Sequence, residues 1–176
     1  MIYLKIGIDF DRTLFDTDGF KKKLEQDFPG FSESYSQAKE NGIYKPGRHA
    51  ELVGVELQKL FDEFREARKF VYDDIEKLEK LRNNSNSLVL VSRGDKEFQR
   101  IKIKSSGIQE LFDKVAIISK PLEAAPKDKV VEIDLMIDDR REELKAIDIP
   151  GILVDPDRKE AEKVIEAIEK GKEIET

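Results

Sequence analysis

Short apolar runs alternate with longer polar, helix-like stretches along this chain. The runs cover positions 2–8, 88–91, 115–118, 135–137 and 152–154. Continuous apolar runs of this length are typical of strands buried on both faces, as in a parallel sheet. From the second run onward, helical spacing follows the strands, for example at Phe98 and Ile101 and again at Val164, Ile165 and Ile168. Alternating strands and helices predict an α/β fold with a doubly wound parallel sheet.

The first two runs are separated by a much longer stretch than a parallel connection requires. Such a crossover needs about a dozen residues, whereas residues 9–87 lie between these runs. Apolar residues recur every fourth position from Phe20 to Phe28, and a second helix is predicted from about Ala50 to Phe70. We therefore predict a small all-helical insertion within a core made of two segments, with bounds 17–71 for the insertion and 1–16 and 72–176 for the core.

Composition and charge narrow the class of protein. The net charge of −6 disfavours a protein that binds a nucleic-acid polymer, since such proteins usually carry a basic stripe. The chain has no cysteine, which excludes a disulfide framework and a zinc–thiolate site. It has no apolar run of the roughly 18 residues that a membrane helix needs, and its N-terminus lacks the features of a signal peptide. We expect a cytoplasmic protein without a membrane partner, and the oligomeric state stays open.

Pairs of acidic residues follow two of the predicted strands. Asp9 and Asp11 come directly after the first run, and Asp138 and Asp139 directly after the fourth. Carboxylates at the end of a core strand are costly to bury unless a cation receives them. The carboxyl ends of parallel strands meet at one edge of the sheet, where ligands bind. The two pairs therefore indicate a metal-assisted reaction, with turn formation or helix capping as the alternative for each pair.

Ser92, Arg93 and Gly94 follow the second run and suit phosphate binding. The Ser92 hydroxyl and the backbone N–H groups of Arg93 and Gly94 can donate hydrogen bonds to phosphate oxygens. A plain turn or a helix cap is the alternative for Ser92. The Arg93 side chain is interpreted either as a substrate contact or as a solvated turn residue.

In order along the chain, these groups resemble the motifs of the haloacid dehalogenase (HAD) superfamily of phosphohydrolases. The matching residues are Asp9-Phe10-Asp11-Arg12-Thr13, Ser92, a lysine and Asp138-Asp139. The predicted insertion lies where members of that superfamily carry a helical cap. The resemblance covers about 1–16 and 72–155, and it implies a Rossmann-like core. Arg12 stands where many relatives have glycine, and we expect its side chain to point outward.

The resemblance also implies roles for individual residues. Asp9 would attack phosphorus and form an aspartyl-phosphate, while Asp11 would act as acid and then as base. Mg²⁺ suits an all-oxygen site and would neutralise the approach of a carboxylate to a phosphate. Its candidate ligands are Asp9, Asp11, Asp138 and Asp139. Asp139 aligns best with the direct ligand of the superfamily, and Asp138 would orient water or the lysine.

Three lysines are candidates for the group that neutralises the transferring phosphoryl group. Lys127 is our first choice, because it follows Pro126 at the start of a predicted short helix. Lys120 directly precedes a proline, as in some relatives. Lys129 lies on the same helix as Lys127 but is expected to face solvent.

The leading functional hypothesis is a Mg²⁺-dependent phosphomonoester hydrolase acting on a small phosphorylated metabolite. Residues 129–140 resemble the corresponding region of 5′-nucleotidases, which favours a nucleoside monophosphate as substrate, and a sugar phosphate stays open as the alternative. Alternatives are a non-catalytic, receiver-like regulator and a phosphomutase or dehalogenase on the same fold. The insertion offers further candidate substrate contacts, namely Tyr44, Lys45, Arg48 and His49.

Overall fold

The computed structural model describes residues 3–174. The strands are β1 (Lys5–Ile8), β2 (Lys39–Glu40), β3 (Ile43–Tyr44), β4 (Ser87–Arg93), β5 (Lys114–Ile118), β6 (Leu135–Asp138) and β7 (Gly151–Leu153). The α-helices are α1 (Thr17–Asp27), α2 (Phe31–Ser34), α3 (Pro46–Val53), α4 (Leu57–Asp62), α5 (Glu79–Asn83), α6 (Lys96–Ser106), α7 (Lys127–Val130), α8 (Arg141–Lys145) and α9 (Glu162–Ile174). Turns of 3₁₀ helix cover Glu63–Phe70, Ile75–Leu78, Gln109–Leu111 and Leu122–Ala124.

The main sheet has five strands in the order β5-β4-β1-β6-β7, and every neighbouring pair is parallel. This confirms the predicted α/β fold, because each of the five apolar runs forms one of these strands. Residues 1, 2, 175 and 176 belong to the predicted core segments, and position 2 to the first predicted strand, but they lie outside the described residues. No helix in the described part of the chain combines the length and the apolar content needed to cross a bilayer.

Both faces of the sheet are covered, as a doubly wound arrangement requires. Alternate residues of a strand point to opposite faces. Leu88 and Leu90 accordingly belong to one hydrophobic cluster, and Val89 and Val91 to another. Gly7 of β1 lies on the second face, where an added Cβ would come within 2.7 Å of an Ile133 methyl group. A glycine is therefore needed for the close packing of this face.

Residues 17–71 are mostly helical, but the prediction of an exclusively helical insertion is wrong in one detail. Strands β2 and β3 form a short antiparallel hairpin around Asn41 and Gly42. Both turn residues have positive φ, at 50° and 76°, as a tight hairpin turn requires. The helix predicted from Ala50 to Phe70 is also interrupted. Gly54 adopts a left-handed conformation with φ of 71° and ends α3.

The insertion packs onto the core through aromatic side chains. Phe98 of α6 has its ring centroid 4.8 Å from that of Phe64 and 4.9 Å from that of Tyr44. The chain enters and leaves the insertion side by side, since the Asp16 N–H donates to the Phe70 carbonyl at 2.7 Å. Buried residues of the insertion and of one sheet face thus form a single hydrophobic cluster. The insertion consequently sits directly above the carboxyl end of β1.

Candidate active site at the carboxyl edge of the sheet

Three carboxylates meet where β1 and β6 end. The Asp9 N–H donates to the Ile137 carbonyl at 2.9 Å, which fixes the end of β1 beside the end of β6. One carboxylate oxygen from each of Asp9, Asp138 and Asp139 lies within 4.8 Å of the others. Asp9 and Asp138 are buried, and the Asp139 side chain is only 3% exposed. These three residues are named the carboxylate cluster below.

Lys127 is the cation of this cluster. Its ammonium donates to Asp9 Oδ1 at 2.7 Å and to Asp138 Oδ2 at 2.6 Å, and the residue is buried. Burial alone would lower the pKa of Lys127, but the two carboxylates outweigh it and raise the pKa above its ordinary value. Of the other predicted lysines, Lys129 pairs with Asp148 at 2.6 Å on the surface. Lys120 is exposed, so Lys127 is the candidate lysine that lies in the site.

The carboxylate cluster carries more negative charge than Lys127 balances. Burial, together with the neighbouring Asp138, raises the pKa of Asp9 well above its ordinary value, against the opposing effect of Lys127. The same two causes raise the pKa of Asp139 to about 6. Asp138 is already engaged by Lys127 and by the Arg140 N–H at 2.9 Å. An oxygen-only donor set with excess negative charge fits a hard divalent cation such as Mg²⁺.

The Asp11 carboxylate is not part of the cluster. It accepts hydrogen bonds from Lys102 at 2.5 Å, Gln99 at 2.9 Å and Thr17 at 2.7 Å. Burial acts to raise the pKa of Asp11, but these donors, led by Lys102, lower it below its ordinary value. Both Asp11 oxygens are thus held by other groups, and ligation of a metal by Asp11 stays a prediction.

Sequence reasoning missed Lys102 and Gln99. They lie three residues apart on α6, so they share one face of the helix, and both are buried. That face also carries Phe98 and Ile103 toward the interior. Two polar residues at inward positions of an otherwise apolar face were the available signal for a buried polar partner.

The Arg12 side chain is 41% exposed, yet its Nε lies close to two carboxylates. Its Nε lies 3.3 Å from Asp18 Oδ2 and 3.7 Å from Asp139 Oδ2, at the border of the carboxylate cluster. Its φ of 62° is in the left-handed region, which costs a non-glycine residue about 1–2 kcal/mol. The buried Lys163 ammonium donates to the Arg12 carbonyl at 3.0 Å and helps to hold this conformation.

The predicted phosphate-binding segment is largely engaged in internal contacts. Ser92 is buried within β4, and the Gly94 N–H donates to the Ile118 carbonyl at 3.0 Å. Arg93 forms a two-pronged ion pair with Glu143, at 2.6 and 3.0 Å. It also donates to the carbonyls of residues 120 and 125 at 2.6 and 2.9 Å. The Gly94 N–H and the Arg93 side chain therefore stabilise the loops around the site, and phosphate binding by Ser92 and the Arg93 N–H stays a prediction.

Gly94 has a different use. A Cβ at this position would lie 2.8 Å from Gln99 Nε2 and 2.9 Å from Gln99 Cγ. The glycine thereby leaves room for Gln99 to reach Asp11. The segment after β4 thus contributes to the site by allowing Gln99 to contact Asp11, and not through the Gly94 N–H.

Of the four candidate substrate contacts in the insertion, Tyr44 is the one that lines a cavity of the site. His49 is buried, with Nδ1 2.9 Å from the Tyr44 hydroxyl and Nε2 2.9 Å from the Phe31 carbonyl. Burial lowers the pKa of His49, although the Phe31 carbonyl opposes this. Arg48 pairs with Glu40 at 3.5 Å on the surface. Tyr44 lines a cavity of the site, but Lys45, Arg48 and His49 are not among the residues that line it.

Two cavities meet at Asp11 and Arg12. One of about 450 Å³ is also lined by Asp9, Lys127 and Asp139. The other, of about 460 Å³, lies between the insertion and the core and is named the insertion cavity below. A further cavity of about 580 Å³ runs between β7 and α9, away from the carboxylate cluster. The first two together offer a reaction centre and an adjoining space for the rest of a substrate.

Solved structures resemble this chain over most of its length. A haloacid dehalogenase-like family hydrolase from Xanthomonas campestris is 20% identical, with a TM-score of 0.56 over 88% of this chain and 83% of its own. The L-2-haloacid dehalogenase from Xanthobacter autotrophicus with chloropropionic acid covalently bound is 16% identical, with a TM-score of 0.60 over 87% and 78%. The HAD-hydrolase YfnB from Bacillus subtilis, bound to magnesium, is 16% identical, with a TM-score of 0.56 over 90% and 92%. No protein-family model and no curated protein matches the chain.

Proposed function

We propose that this chain, which has the haloacid dehalogenase-like fold, is a Mg²⁺-dependent hydrolase of small phosphomonoesters. The observation that carries the proposal is the arrangement of Lys127 between Asp9 and Asp138, with Asp139 beside them. This arrangement places a buried nucleophile candidate, a fixed positive charge and a set of cation ligands at one sheet edge. Such a set is suited to a substrate whose reacting group is a phosphate.

Phosphoryl transfer accounts for this site better than carbon–halogen cleavage does. Solved structures similar to this chain include a haloacid dehalogenase-like family hydrolase and an L-2-haloacid dehalogenase, so the fold alone does not decide the reaction. A halide leaves without a proton and needs no acid, whereas an alkoxide leaving group does. Asp11 lies beside the cavity that Asp9 lines, where it can serve as that acid. The excess negative charge of the carboxylate cluster also requires a cation, which a phosphate substrate would share.

The metal would be held by Asp9 and Asp139, with Asp138 orienting Lys127. When bound, Mg²⁺ supplies positive charge that offsets the repulsion between the Asp9 carboxylate and the phosphate oxygens. Lys127 adds a second positive charge that is already fixed in place by two hydrogen bonds. Arg12 extends the positive potential toward the insertion cavity.

In the first step an Asp9 oxygen forms a bond to phosphorus while the bond from phosphorus to the leaving oxygen breaks. Asp11 donates its proton to that oxygen, and an alcohol departs. In the second step water attacks phosphorus, Asp11 takes the proton of the water, and inorganic phosphate leaves Asp9 as a free carboxylate.

Asp11 is ionised in the resting arrangement, because Lys102 lowers its pKa. A phosphate dianion arriving nearby raises the pKa of a carboxyl group by charge repulsion. Substrate binding therefore favours the protonated form that the first step needs. Loss of the leaving alcohol returns Asp11 to the form needed as a base.

The proposal is tested by measuring release of inorganic phosphate from a panel of nucleotides and sugar phosphates. We expect turnover that requires Mg²⁺, stops with EDTA and is lost in Asp9→Asn, which keeps the size of the side chain. Asp73→Asn, at an exposed position away from the site, is the matched control and should retain the wild-type rate. Equal turnover by Asp9→Asn and wild type, or Mg²⁺ binding without turnover of any substrate, would refute the proposal.

A further inference from the structure

The insertion cavity has a strongly positive lining. Its basic side chains are Arg12, Lys21, Lys39, Arg93, Lys102 and Arg140, and its acidic side chains are Asp11 and Asp95. A chain with net charge −6 thus concentrates cations at this one place. The volume of about 460 Å³ is within the range of small-molecule sites.

Several of these charges are already balanced. Lys102 forms an ion pair with Asp11 at 2.5 Å, and Arg93 is bound to Glu143. Asp95 accepts the Phe98 N–H at 3.0 Å as the cap of α6. These groups hold the walls of the cavity together and leave little charge to attract a ligand.

Lys21 and Lys39 differ from these residues because both contact the same aromatic ring. Their ammonium groups lie 3.9 Å and 5.0 Å from the ring centroid of the same residue, Tyr35. Among the described residues, neither has a carboxylate oxygen within 4.0 Å, although most other buried or half-buried cations of the site have one. Two positive charges are thus held against one aromatic ring without an ion pair to a described carboxylate.

The carboxylates of Asp11 and Asp18 attract Lys21 from a distance, but neither contacts its ammonium group. Lys21 is half-buried, so water screens its repulsion from Lys39 and Lys102 only partly. The attraction of an ammonium group to an aromatic face offsets part of that repulsion. A ligand anion placed between the two ammonium groups would remove it and gain charged hydrogen bonds.

We propose that Lys21 and Lys39 bind a second anionic group of the substrate, at the end opposite the reacting phosphate. The inference rests on the proposed function, since it places the reacting phosphate at Asp9. The substrate class is a small phosphomonoester that also carries a carboxylate or a second phosphate. Tyr35 forms the aromatic wall against which both ammonium groups lie.

The kinetic test compares matched substrates that differ in the second group only. Phosphoglycerate is compared with glycerol phosphate for a carboxylate, and fructose bisphosphate with fructose phosphate for a second phosphate. We expect wild-type kcat/KM to be higher for one anion-bearing member, and the pair that shows the preference identifies the anion. Lys21→Met should lower that preference about tenfold to hundredfold, the range for loss of a charged hydrogen bond.

Variants of neighbouring lysines separate binding from folding. Lys39→Met, at an exposed position, should lower the same preference without unfolding the protein. Lys22→Met removes an exposed lysine next to Lys21 on the same helix and should keep the wild-type preference. A preference that survives in both Lys21→Met and Lys39→Met would overturn the inference.

A binding measurement distinguishes failure of this inference from failure of the proposed function. Calorimetry on the Asp9→Asn protein with Mg²⁺ measures affinity for both members of each pair without turnover. Tighter binding of the anion-bearing member that is lost in Asp9→Asn/Lys21→Met supports the site even if wild type releases no phosphate. Phosphate release by wild type with equal affinities within both pairs would leave the hydrolase standing and overturn the second-anion site.

Discussion

An Arg93→Met substitution is expected to destabilise the protein much more than it weakens substrate binding. Arg93 ends β4, and its partner Glu143 lies on α8, which begins three residues after Asp138 at the end of β6. The side chains are 7% and 1% exposed, so this ion pair is shielded from water. Its loss would separate two loops that border the carboxylate cluster.

The magnitude follows from what each variant leaves unpaired. Removing one partner of a buried ion pair costs about 3–5 kcal/mol, because the other charge stays buried. Arg140, whose Nη1 lies 3.6 Å from Glu143 Oε1, keeps the cost of Arg93→Met at the low end of this range. Arg93→Met also deprives the partly buried carbonyl of residue 125 of its donor, which adds about 1 kcal/mol. We therefore expect a loss of about 4 kcal/mol in the free energy of unfolding for Arg93→Met and about 3 kcal/mol for Glu143→Leu. The double variant leaves no unpaired charge and should lose only about 1–2 kcal/mol.

Urea unfolding of the four proteins gives the double-mutant cycle directly. The control is Arg65→Met, which removes an 81% exposed arginine 3.2 Å from Asp62 and should change stability by less than about 1 kcal/mol. Under conditions where Arg93→Met stays folded, its KM should remain within about twofold of wild type, because the guanidinium is committed to internal acceptors.

Two results would refute this reasoning. Additive losses in the Arg93 and Glu143 variants would show that the two side chains do not act as a pair. An unchanged urea midpoint in Arg93→Met, combined with a large increase in KM, would show that the guanidinium binds substrate.

Further predictions concern the surroundings of the site. Lys102→Met should lower kcat/KM at least about 100-fold, because Asp11 loses the cation that positions it. Lys102→Arg should restore part of that rate. A wild-type rate in Lys102→Met would contradict this role. Gly94→Ala should displace Gln99 from Asp11 and lower kcat about tenfold, and adding Gln99→Ala should cause no further loss if the two act through one contact. Burial lowers the pKa of Lys163 to about 8 in the folded protein, against about 10.4 in the unfolded chain. Between these two pH values the unfolded state binds more protons than the folded state. The free energy of unfolding should therefore rise with pH between about pH 8 and pH 10. Urea unfolding at about pH 8 and pH 10 should show a smaller rise in Lys163→Met than in wild type, and an equal rise would contradict this assignment.

The sheet could be predicted because its strands are buried on both faces. Continuous apolar runs such as Leu88–Val91 carry that information locally, and the order of the motifs along the chain was sufficient to indicate the HAD-like fold, which the solved relatives confirm. The position of Lys127 after Pro126 likewise pointed to the lysine that the structure places in the carboxylate cluster. Its catalytic role stays a prediction, as do the domain boundaries and the cytoplasmic location.

What could not be predicted depends on partners far apart in sequence. Glu143 lies fifty residues beyond Arg93, so nothing near Arg93 shows that its guanidinium is already bound. Nothing in the local sequence identifies Lys102 as the partner of Asp11, because this contact forms only in the folded protein. The hairpin at Asn41 was marked only by its turn, because its strands are two residues long and show no alternation. Ion pairing and short strands are decided by tertiary contacts rather than by local pattern.

The aromatic contact between the insertion and the core links stability to specificity. Tyr44 and Phe98 pack against each other in the shared hydrophobic cluster, and both also line the insertion cavity. A mutation that reshapes the cavity at either position would therefore loosen the attachment of the insertion, and most such variants would be lost through poor folding. Substitution of Lys21 or Lys39 should not loosen this attachment, because neither residue belongs to that cluster. Homologues that acquire new substrates are thus expected to differ first at these lysines and to keep the aromatic residues.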